Sequence, residues 1–364
     1  MGTILSRKRK DGTIGHTALI RIKKGGKVIH GESETFDRKP AAQAWLKKRE
    51  TELAQPGALT KPTDPLLKDV IDQYNLEKHK EHGKTKTQVL NTIKDAEIGA
   101  LCCSEVTSQQ LVAFAQAIDA QPSTRGNYMS HLASIFSVAR PAWGYPLDKQ
   151  AIDDARVVLD KMGLIGKSKQ RTRRPTLEEL DKLMKYYMVM ELKRKDAIPM
   201  TRIIPFAIFS TRRQEEITRM QGKDLDAANL EIIVRDMKNP GEKIGNDVRT
   251  ALTPEALQLI KLQPQTQGTI WPYNAESVSA SFTRACAFLG IEDLHFHDLR
   301  HEGISRLFEL GWNIPRVACV SGHRSWTSLK RYTHLRQVGD KYKDWPWLAR
   351  LGIEVPDAKM PPTP

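Results

Sequence analysis

The sequence predicts a mainly helical, multidomain chain, in which a small N-terminal β-sheet with one helix precedes an all-helical segment and a mixed α+β segment. Three observations predict this order: two β-like runs flank a Gly-Gly pair near the start, a long stretch of helical periodicity follows, and two linker-like stretches divide the chain. At 364 residues the chain is long enough for two or three domains, each with its own core. The predicted boundaries are 1–60, 66–162, 172–340 and a tail over 341–364.

Charge and cysteine content narrow the functional class. Lys and Arg number 57 against 43 for Asp and Glu, a formal net charge of +14, which favours a polyanionic partner over a purely solvated basic surface. No apolar run is long enough to span a bilayer and the N-terminus lacks a signal-peptide pattern, so we expect a cytoplasmic protein without membrane contact. The cysteines show no metal-binding spacing and are expected to be reduced thiols. They are Cys102, Cys103, Cys286 and Cys319.

The first 60 residues predict a small basic sheet. Two β-like runs around Gly25-Gly26 indicate a hairpin, the run before it adds a third strand, and residues 39–53 have helical spacing. A sheet of this size can enter a DNA groove, although a solvated charged sheet is the alternative. The candidate DNA contacts are Arg7, Lys8, Arg9, Arg21 and Lys23.

The middle of the chain predicts a helical bundle between two linkers. A Pro-rich stretch over residues 55–65 opens it, and the helices are expected near 66–80, 86–98, 107–118, 123–139 and 151–159. Lys84, Lys86 and Arg125 are candidate DNA contacts because they lie at helix starts or on polar faces. The basic stretch 163–174 is expected to be a flexible joint, which would let two domains close around a duplex.

The C-terminal third contains three spaced signals. His297 and Arg300 are three residues apart, which places both on one face of a helix. Gly322, before His323, follows an apolar-periodic segment and is expected to cap a helix. Tyr332 should lie on a short helix that begins at Ser325, beside Trp326 and Leu329 on its apolar face. A lone tyrosine there would be a core residue, but its neighbours favour a chemical role. His295 and His301 are expected to be structural, with His301 one helical turn from His297.

These signals resemble the signature of the tyrosine recombinase family, to which the phage integrases belong: H-x-x-R, then G-H, then a tyrosine nine residues on. The local sequence is especially similar to that of shufflon-type DNA invertases. The resemblance implies that Tyr332 is the nucleophile and that Arg300, His297 and His323 are catalytic.

A second motif of the family, T-G-x-R-x-x-E, resembles the stretch from Ser210 to Glu216. It implies a catalytic Arg213, with Arg212 as the less favoured candidate, and it leaves Thr211 where the family usually has glycine. By the same resemblance, Glu216 and Asp224 are structural supports. A hairpin lysine completes the catalytic set, with Lys238 preferred to Lys243.

The resemblance also implies an arm-binding domain, a core-binding domain and a catalytic domain in chain order. It implies cleavage and rejoining of double-stranded DNA through a 3′-phosphotyrosyl intermediate and a Holliday junction. A homotetramer on synapsed DNA is expected, with a monomer or weak oligomer when free, in a bacterial or phage-encoded setting at the nucleoid. No metal or other cofactor is expected, because the arginines supply the positive charge. The tail is expected to pack on a neighbouring protomer, with packing in cis as the alternative.

Two other functions fit parts of the pattern. A type IB topoisomerase-like enzyme would keep the chemistry without synapsis, and a DNA-binding regulator would lack catalysis. The full set of catalytic residues disfavours the regulator, and the separate basic N-terminal segment favours recombination over relaxation.

Overall fold

The computed structural model describes residues 2–9, 12–24, 27–54, 63–77, 81–168, 170–237, 245–264 and 268–355. The chain divides into two compact units, Met1–Lys169 and Gln170–Pro364. The finer division into arm-binding, core-binding and catalytic domains stays a prediction. No helix in the described part of the chain is long and apolar enough to cross a membrane.

The first unit begins with an antiparallel three-stranded sheet in the order β1-β2-β3. Its strands, and the helix that packs on them, are β1 (Thr3–Lys8), β2 (Ile14–Lys24), β3 (Lys27–Phe36) and α1 (Lys39–Leu53). Ala18 and Ile20 of β2 and Ala42 and Leu53 of α1 are buried. The predicted basic sheet with one helix is confirmed as a fold.

The rest of the first unit is helical. Its elements are α2 (Leu67–Leu76), α3 (Lys84–Asp95), 3₁₀ helices at Glu97–Ala100 and Cys103–Glu105, α4 (Ser108–Ala117), α5 (Pro122–Trp143) and α6 (Lys149–Lys161). One apolar cluster joins these elements, with Leu90, Leu132 and Phe136 among its buried members. Thr107 caps α4 by accepting a hydrogen bond from the backbone N–H of Gln110 (3.4 Å).

The second unit combines helices with a small antiparallel sheet of order β4-β5-β6. Its elements are α7 (Leu177–Lys193), α8 (Met200–Ser210), α9 (Gln214–Ile217), a 3₁₀ helix at Gly222–Asp224, β4 (Leu225–Asp226), β5 (Glu231–Val234), β6 (Val248–Ala251), α10 (Pro254–Lys261), α11 (Ala275–Phe288), α12 (Phe296–Glu309), α13 (Ile314–Ser321), 3₁₀ helices at Trp326–Ser328 and Lys330–Tyr332, and α14 (Pro346–Arg350). The mainly helical, multidomain fold class is thereby confirmed.

Helix α8 is the centre of the second unit, because all of its residues except Arg202 are buried. Helix α12 packs against it so closely that a Cβ at Gly303 would lie 1.9 Å from the backbone oxygen of Ile208. The glycine therefore permits the close approach of two helices whose ends hold the candidate site.

Two expectations about the ends of this unit are wrong. The basic stretch 163–174 is not one flexible joint, because Arg171 forms a bidentate pair with Asp298 and Arg174 forms one with Glu309. The described part of the tail, up to residue 355, packs in cis: Trp345, Trp347 and Leu348 belong to the main apolar cluster of the same unit. Burial of these side chains is strongly favourable, and their own chain supplies a surface that accepts them.

Candidate functional site

The site is built around Arg300, which lies in the first turns of α12 and is 3% exposed. Its Nη1 donates to the backbone oxygen of Thr211, and its Nη2 donates to the backbone oxygen of Ser321 (2.9 Å). One guanidinium thus joins the end of α8 to the end of α13. Burial, followed by the charge of nearby Arg213, lowers the pKa of Arg300 to about 9, against the effect of Glu216. The group is therefore a cation at neutral pH.

Thr211 keeps the backbone conformation that a glycine would favour. Its φ is +56°, in the left-handed region, and it ends α8 as the C-terminal cap. A β-branched residue in this conformation is strained. Thr211 therefore adopts the left-handed conformation despite its side chain, and the turn directs the Thr211 carbonyl to Arg300.

Arg213 lies just before α9 and is paired with Glu216. Its Nη1 lies 2.6 Å from Glu216 Oε1, while its backbone N–H donates to Oε2 (3.1 Å). The side chain of Arg213 remains 29% exposed, so a ligand can reach it. Glu216 Oε2 is also 3.7 Å from Nη1 of Arg300, and one carboxylate thus holds both arginines together. Burial would raise the pKa of Glu216, but Arg212, Arg300 and Arg213 hold it below its ordinary value.

Arg212, which precedes Arg213 in the sequence, is buried. It is 1% exposed, its Nε donates to the backbone oxygen of Ser210 (3.0 Å), and within the described residues Nη1 and Nη2 have no hydrogen-bond partner. Burial lowers its pKa to about 10. Of the two candidate arginines, Arg213 is the accessible one.

His323 follows the left-handed cap Gly322 (φ +69°), as the glycine at this position predicts. Its ring nitrogens lie 3.4 Å from Nη2 of Arg300, and Nδ1 is 2.7 Å from the hydroxyl of Ser321. Burial lowers the pKa of His323 to about 3, and Arg300 and Arg213 act in the same direction. A neutral imidazole beside two cations can donate a hydrogen bond to an anion.

His297 lies on α12 and is an exposed residue. Partial desolvation, followed by the charges of Arg300 and Arg213, lowers its pKa. The ring meets that of His301 edge-on, with 4.9 Å between centroids. His297 is therefore neutral and accessible on the same helix as Arg300.

Tyr332 is 7% exposed and lies on the second of the two 3₁₀ helices. Its hydroxyl is 2.5 Å from Nδ1 of His301, and its ring stacks on Phe308 at 5.9 Å between centroids. Burial raises the pKa of the phenol, against the charges of Arg331 and Arg300. The contact with His301 was not predicted, although the i, i+4 spacing from His297 indicates that both imidazoles share a face of α12.

The local structure around Tyr332 differs from the expected helix. Two 3₁₀ turns replace it, Ser325 makes no side-chain cap, and Trp326 is 58% exposed rather than packed beside the tyrosine. Leu329 is buried as expected.

The remaining predicted site residues of this unit are Asp224, Lys238 and Lys243. Asp224 is paired with Arg235 through two hydrogen bonds of 2.7 Å, which fits a supporting role. Lys238 and Lys243 lie outside the described residues, so their roles stay predictions. Among the described residues, no group of three or more His, Cys, Asp or Glu could hold a metal ion.

The predicted DNA contacts of the first unit differ in their exposure and in their partners. Arg7, Lys8, Arg9, Arg21, Lys23 and Lys84 are exposed. Lys86 Nζ donates to the hydroxyl of Tyr74 (2.8 Å), and Arg125 Nε donates to the backbone oxygen of Ile118 (2.9 Å). These last two side chains therefore also have roles inside the unit.

Comparisons with known proteins identify the family. Residues 173–338 match the phage integrase family. The chain is 30% identical over 287 residues to the shufflon-specific DNA recombinase of Escherichia coli, a match that covers 74% of this chain and 69% of the relative.

Solved structures show the same fold at low sequence identity. The Tn1549 transposon integrase, in complex with transposon right end DNA, has a TM-score of 0.57 at 14% identity. The match covers 74% of this chain and 94% of the Tn1549 integrase chain. A lambda integrase dimer bound to a COC′ core site has a TM-score of 0.55 at 20% identity. The match covers 72% of this chain and 97% of the lambda integrase chain. The chain belongs to the phage integrase family and is a tyrosine-type site-specific DNA recombinase.

Proposed function

We propose that this recombinase breaks a DNA phosphodiester by attack of Tyr332 on phosphorus, which forms a 3′-phosphotyrosyl link and frees a 5′-hydroxyl. The link conserves the energy of the broken bond, so rejoining needs no nucleotide cofactor. Attack by the 5′-hydroxyl of a second strand reverses the step and produces a Holliday junction. The reaction requires two synapsed duplexes, and we propose a homotetramer as the assembly that holds them.

The observation that carries this proposal is the shared position of two guanidiniums and one imidazole. Arg213 and Arg300 both contact Glu216, and His323 lies 3.4 Å from Arg300. Arg212, Arg213 and Arg300 together outweigh the single negative charge of Glu216, so the cluster is positive. A positive cluster favours a phosphodiester and, more strongly, the phosphorane that develops from it. Arg213 and Arg300 would bind the non-bridging oxygens, and His323 would donate a hydrogen bond to the same phosphate.

The remaining roles concern protons. An unperturbed tyrosine, with a pKa of about 10, is ionised to roughly one part in a thousand at pH 7, so the nucleophile needs an acceptor for its proton. His297 is the acceptor that the family resemblance implies. Lys238 is assigned to protonate the departing 5′-oxygen. The exposed basic residues of the first unit would bind the flanking phosphates, and binding should therefore weaken steeply with salt.

The experiment begins by incubating the full-length protein with a library of random-sequence DNA duplexes. Duplexes that the protein cleaves remain attached to it as detergent-resistant covalent adducts, and sequencing them identifies its sites. A selected sequence is then built into a half-site suicide substrate, whose cleaved end cannot be rejoined. Wild type is expected to form a covalent adduct that Tyr332→Phe does not form, while both proteins bind the duplex equally. An adduct with Tyr332→Phe would contradict the proposal.

A second assay separates recombination from relaxation. A plasmid with two copies of the selected site in inverted orientation should yield an inverted segment, which is the outcome expected of a relative of a shufflon-specific recombinase. Relaxation of supercoils without a recombinant product would instead support a topoisomerase-like enzyme. The reaction is expected in the bacterial cytoplasm, at the nucleoid.

A further inference from the structure

Ser321 is the last residue of α13, and it is fully buried. Its backbone oxygen accepts a hydrogen bond from Nη2 of Arg300 (2.9 Å), and its hydroxyl lies 2.7 Å from Nδ1 of His323. One residue therefore contacts two of the groups that are assigned to the scissile phosphate, one through its backbone and the other through its side chain.

The turn after Ser321 brings the imidazole back onto this hydroxyl. Gly322 has a φ of +69°, in the left-handed region that other residues rarely adopt. A Cβ at this glycine would also lie 2.7 Å from Cε of Met237, so a side chain here would crowd that residue. The glycine thus fixes the direction in which the chain leaves α13, and with it the contact between Ser321 and His323.

The proton of the Ser321 hydroxyl has one acceptor. Among the residues that the structure describes, Nδ1 of His323 is the hydroxyl's one hydrogen-bond partner. A buried hydroxyl without an acceptor destabilises the folded protein. The favoured arrangement therefore has the Ser321 O–H donating to the lone pair on Nδ1, which leaves the imidazole proton on Nε2.

We propose that Ser321 is a positioning residue for the reaction, which fixes the tautomer and the ring orientation of His323 so that Nε2–H is available to the scissile phosphate. This inference rests on the proposed function of His323 as a hydrogen-bond donor to that phosphate. The roles proposed for Tyr332, His297 and the arginines are unchanged.

His323 needs a fixed tautomer because it is neutral. Burial lowers its pKa to about 3, and the charges of Arg300 and Arg213 act in the same direction. A neutral imidazole has a single N–H, whereas an imidazolium donates from both nitrogens. Arg300 cannot select the tautomer, because its Nη2 lies 3.4 Å from both ring nitrogens. The Ser321 hydroxyl contacts Nδ1 and so distinguishes the two nitrogens.

The resulting Nε2–H has no acceptor in the part of the protein that the structure describes. Its hydrogen-bonding neighbour there is Nη2 of Arg300, and a guanidinium can only donate. His323 is half-buried, so a ligand can reach the ring. A phosphate oxygen beside Arg300 would satisfy both donors at once.

The test measures single-turnover cleavage of the half-site suicide substrate by full-length protein. Ser321→Ala removes the hydroxyl but keeps the backbone oxygen that contacts Arg300. Ser325→Ala is the matched control, because Ser325 is an exposed serine four residues on and makes no side-chain cap. Circular dichroism and duplex binding confirm that each variant is folded.

We expect Ser321→Ala to form adduct about tenfold more slowly than wild type. This loss is smaller than the one expected of His323→Ala, about 10²- to 10³-fold, because that change removes the donor itself. In the His323→Ala background, Ser321→Ala should change the rate by less than about twofold, since the hydroxyl then has no imidazole to hold. Ser325→Ala should cleave as wild type does.

Nitrogen-15 NMR of histidine-labelled protein reads the tautomer without a measurement of activity. The signals of His323 are identified by their loss in His323→Ala. In wild type they should show a lone pair on Nδ1 and a proton on Nε2. In Ser321→Ala the shifts of the two nitrogens should move toward each other, as the second tautomer becomes populated.

Three results would overturn the inference. They are a wild-type His323 that carries its proton on Nδ1, cleavage by Ser321→Ala at the wild-type rate, and a loss in Ser321→Ala that is equally large with and without His323. Failure of the proposed function looks different, because wild type would then form no adduct or Tyr332→Phe would form one, while the NMR signals would still report the tautomer of His323.

Discussion

Arg300 on α12 donates a hydrogen bond from Nη1 to the backbone oxygen of Thr211, the residue at which α8 ends. The second arm of the same guanidinium reaches the backbone oxygen of Ser321 at the end of α13 (2.9 Å). The planar fork of the side chain therefore joins three helices at the candidate site, in addition to carrying charge.

Arg300→Lys separates these two roles. Lysine keeps the charge but cannot make both backbone contacts, so the rate of adduct formation on the suicide half-site should fall about 10²- to 10³-fold. Duplex binding should change little, because it depends mainly on the other basic residues. Arg219→Lys is the control, since Arg219 is exposed on the same unit and should tolerate the change. Wild-type cleavage by Arg300→Lys would show that charge alone suffices.

Thr211 offers a test of backbone strain. At an ordinary position, alanine is about 0.5–1 kcal/mol more stable than glycine. Because Thr211 has a φ of +56°, we expect the reverse, with Thr211→Gly more stable than Thr211→Ala by about 1 kcal/mol. Urea unfolding of the two variants gives the difference directly, and equal stability, or a more stable alanine variant, would contradict it.

The candidate site also shows which features the sequence could predict and which it could not. The spacing of His297 and Arg300 and the glycine before His323 follow from helix periodicity and cap chemistry, so the pattern places them correctly. The left-handed backbone of Thr211 could not be predicted, because β-branched residues avoid it and only tertiary contacts impose it. The contact between His301 and Tyr332 likewise depends on how a segment 31 residues away folds back onto α12.

The packing of the tail differs from the prediction for a related reason. Its apolar residues predict burial, but a pattern of apolar residues does not specify whether the surface that covers them belongs to the same chain or to another. The coarse fold was more predictable, since strand runs, helical periodicity and linker composition are local signals.

Stability should fall between pH 6.5 and pH 5. The folded-state pKa values of His323 and His301 are about 3 and about 4, below the ordinary value of 6.5. In this window the unfolded chain binds protons that the folded protein does not, so stability is present above pH 6.5 and is lost as the pH falls. Each of these two histidines should contribute roughly 1 kcal/mol per pH unit. His297, whose pKa is also lowered, acts in the same direction, and urea midpoints measured at several pH values report the sum.

Substitutions identify the side chains that cause this pH dependence of stability. Glu216 and Asp298, whose folded pKa values are lowered, take up protons mainly below this window. His323→Asn should therefore reduce the slope, and His334→Asn should leave it unchanged. A stability that is independent of pH from 6.5 to 5 would mean that the two imidazoles are not held neutral.

Trp345→Ala should destabilise the isolated monomer by about 3–5 kcal/mol, because the side chain is 3% exposed in the main core of its unit. Its Nε1 also donates to Asp181 (2.8 Å), and that hydrogen bond would be lost. Trp326→Ala is the matched control, since Trp326 is 58% exposed and its removal should change stability by less than about 0.5 kcal/mol. An unchanged monomer whose assembly on DNA is lost would instead indicate a tail that packs in trans.

Limited trypsin digestion should cut the free protein after Lys167 before it cuts after Arg171 or Arg173. Lys167 is exposed, whereas Arg171 is paired with Asp298 and Asp293, and Arg173 with Glu179. The backbone oxygen of Arg171 also accepts a hydrogen bond from Arg331, which precedes Tyr332, so this stretch is held by its own unit at several points. Mass spectrometry of early fragments gives the order of cleavage, and Lys167→Gln should delay the first cut. Early cleavage after Arg171 or Arg173 in wild type would show that these ion pairs do not hold the segment.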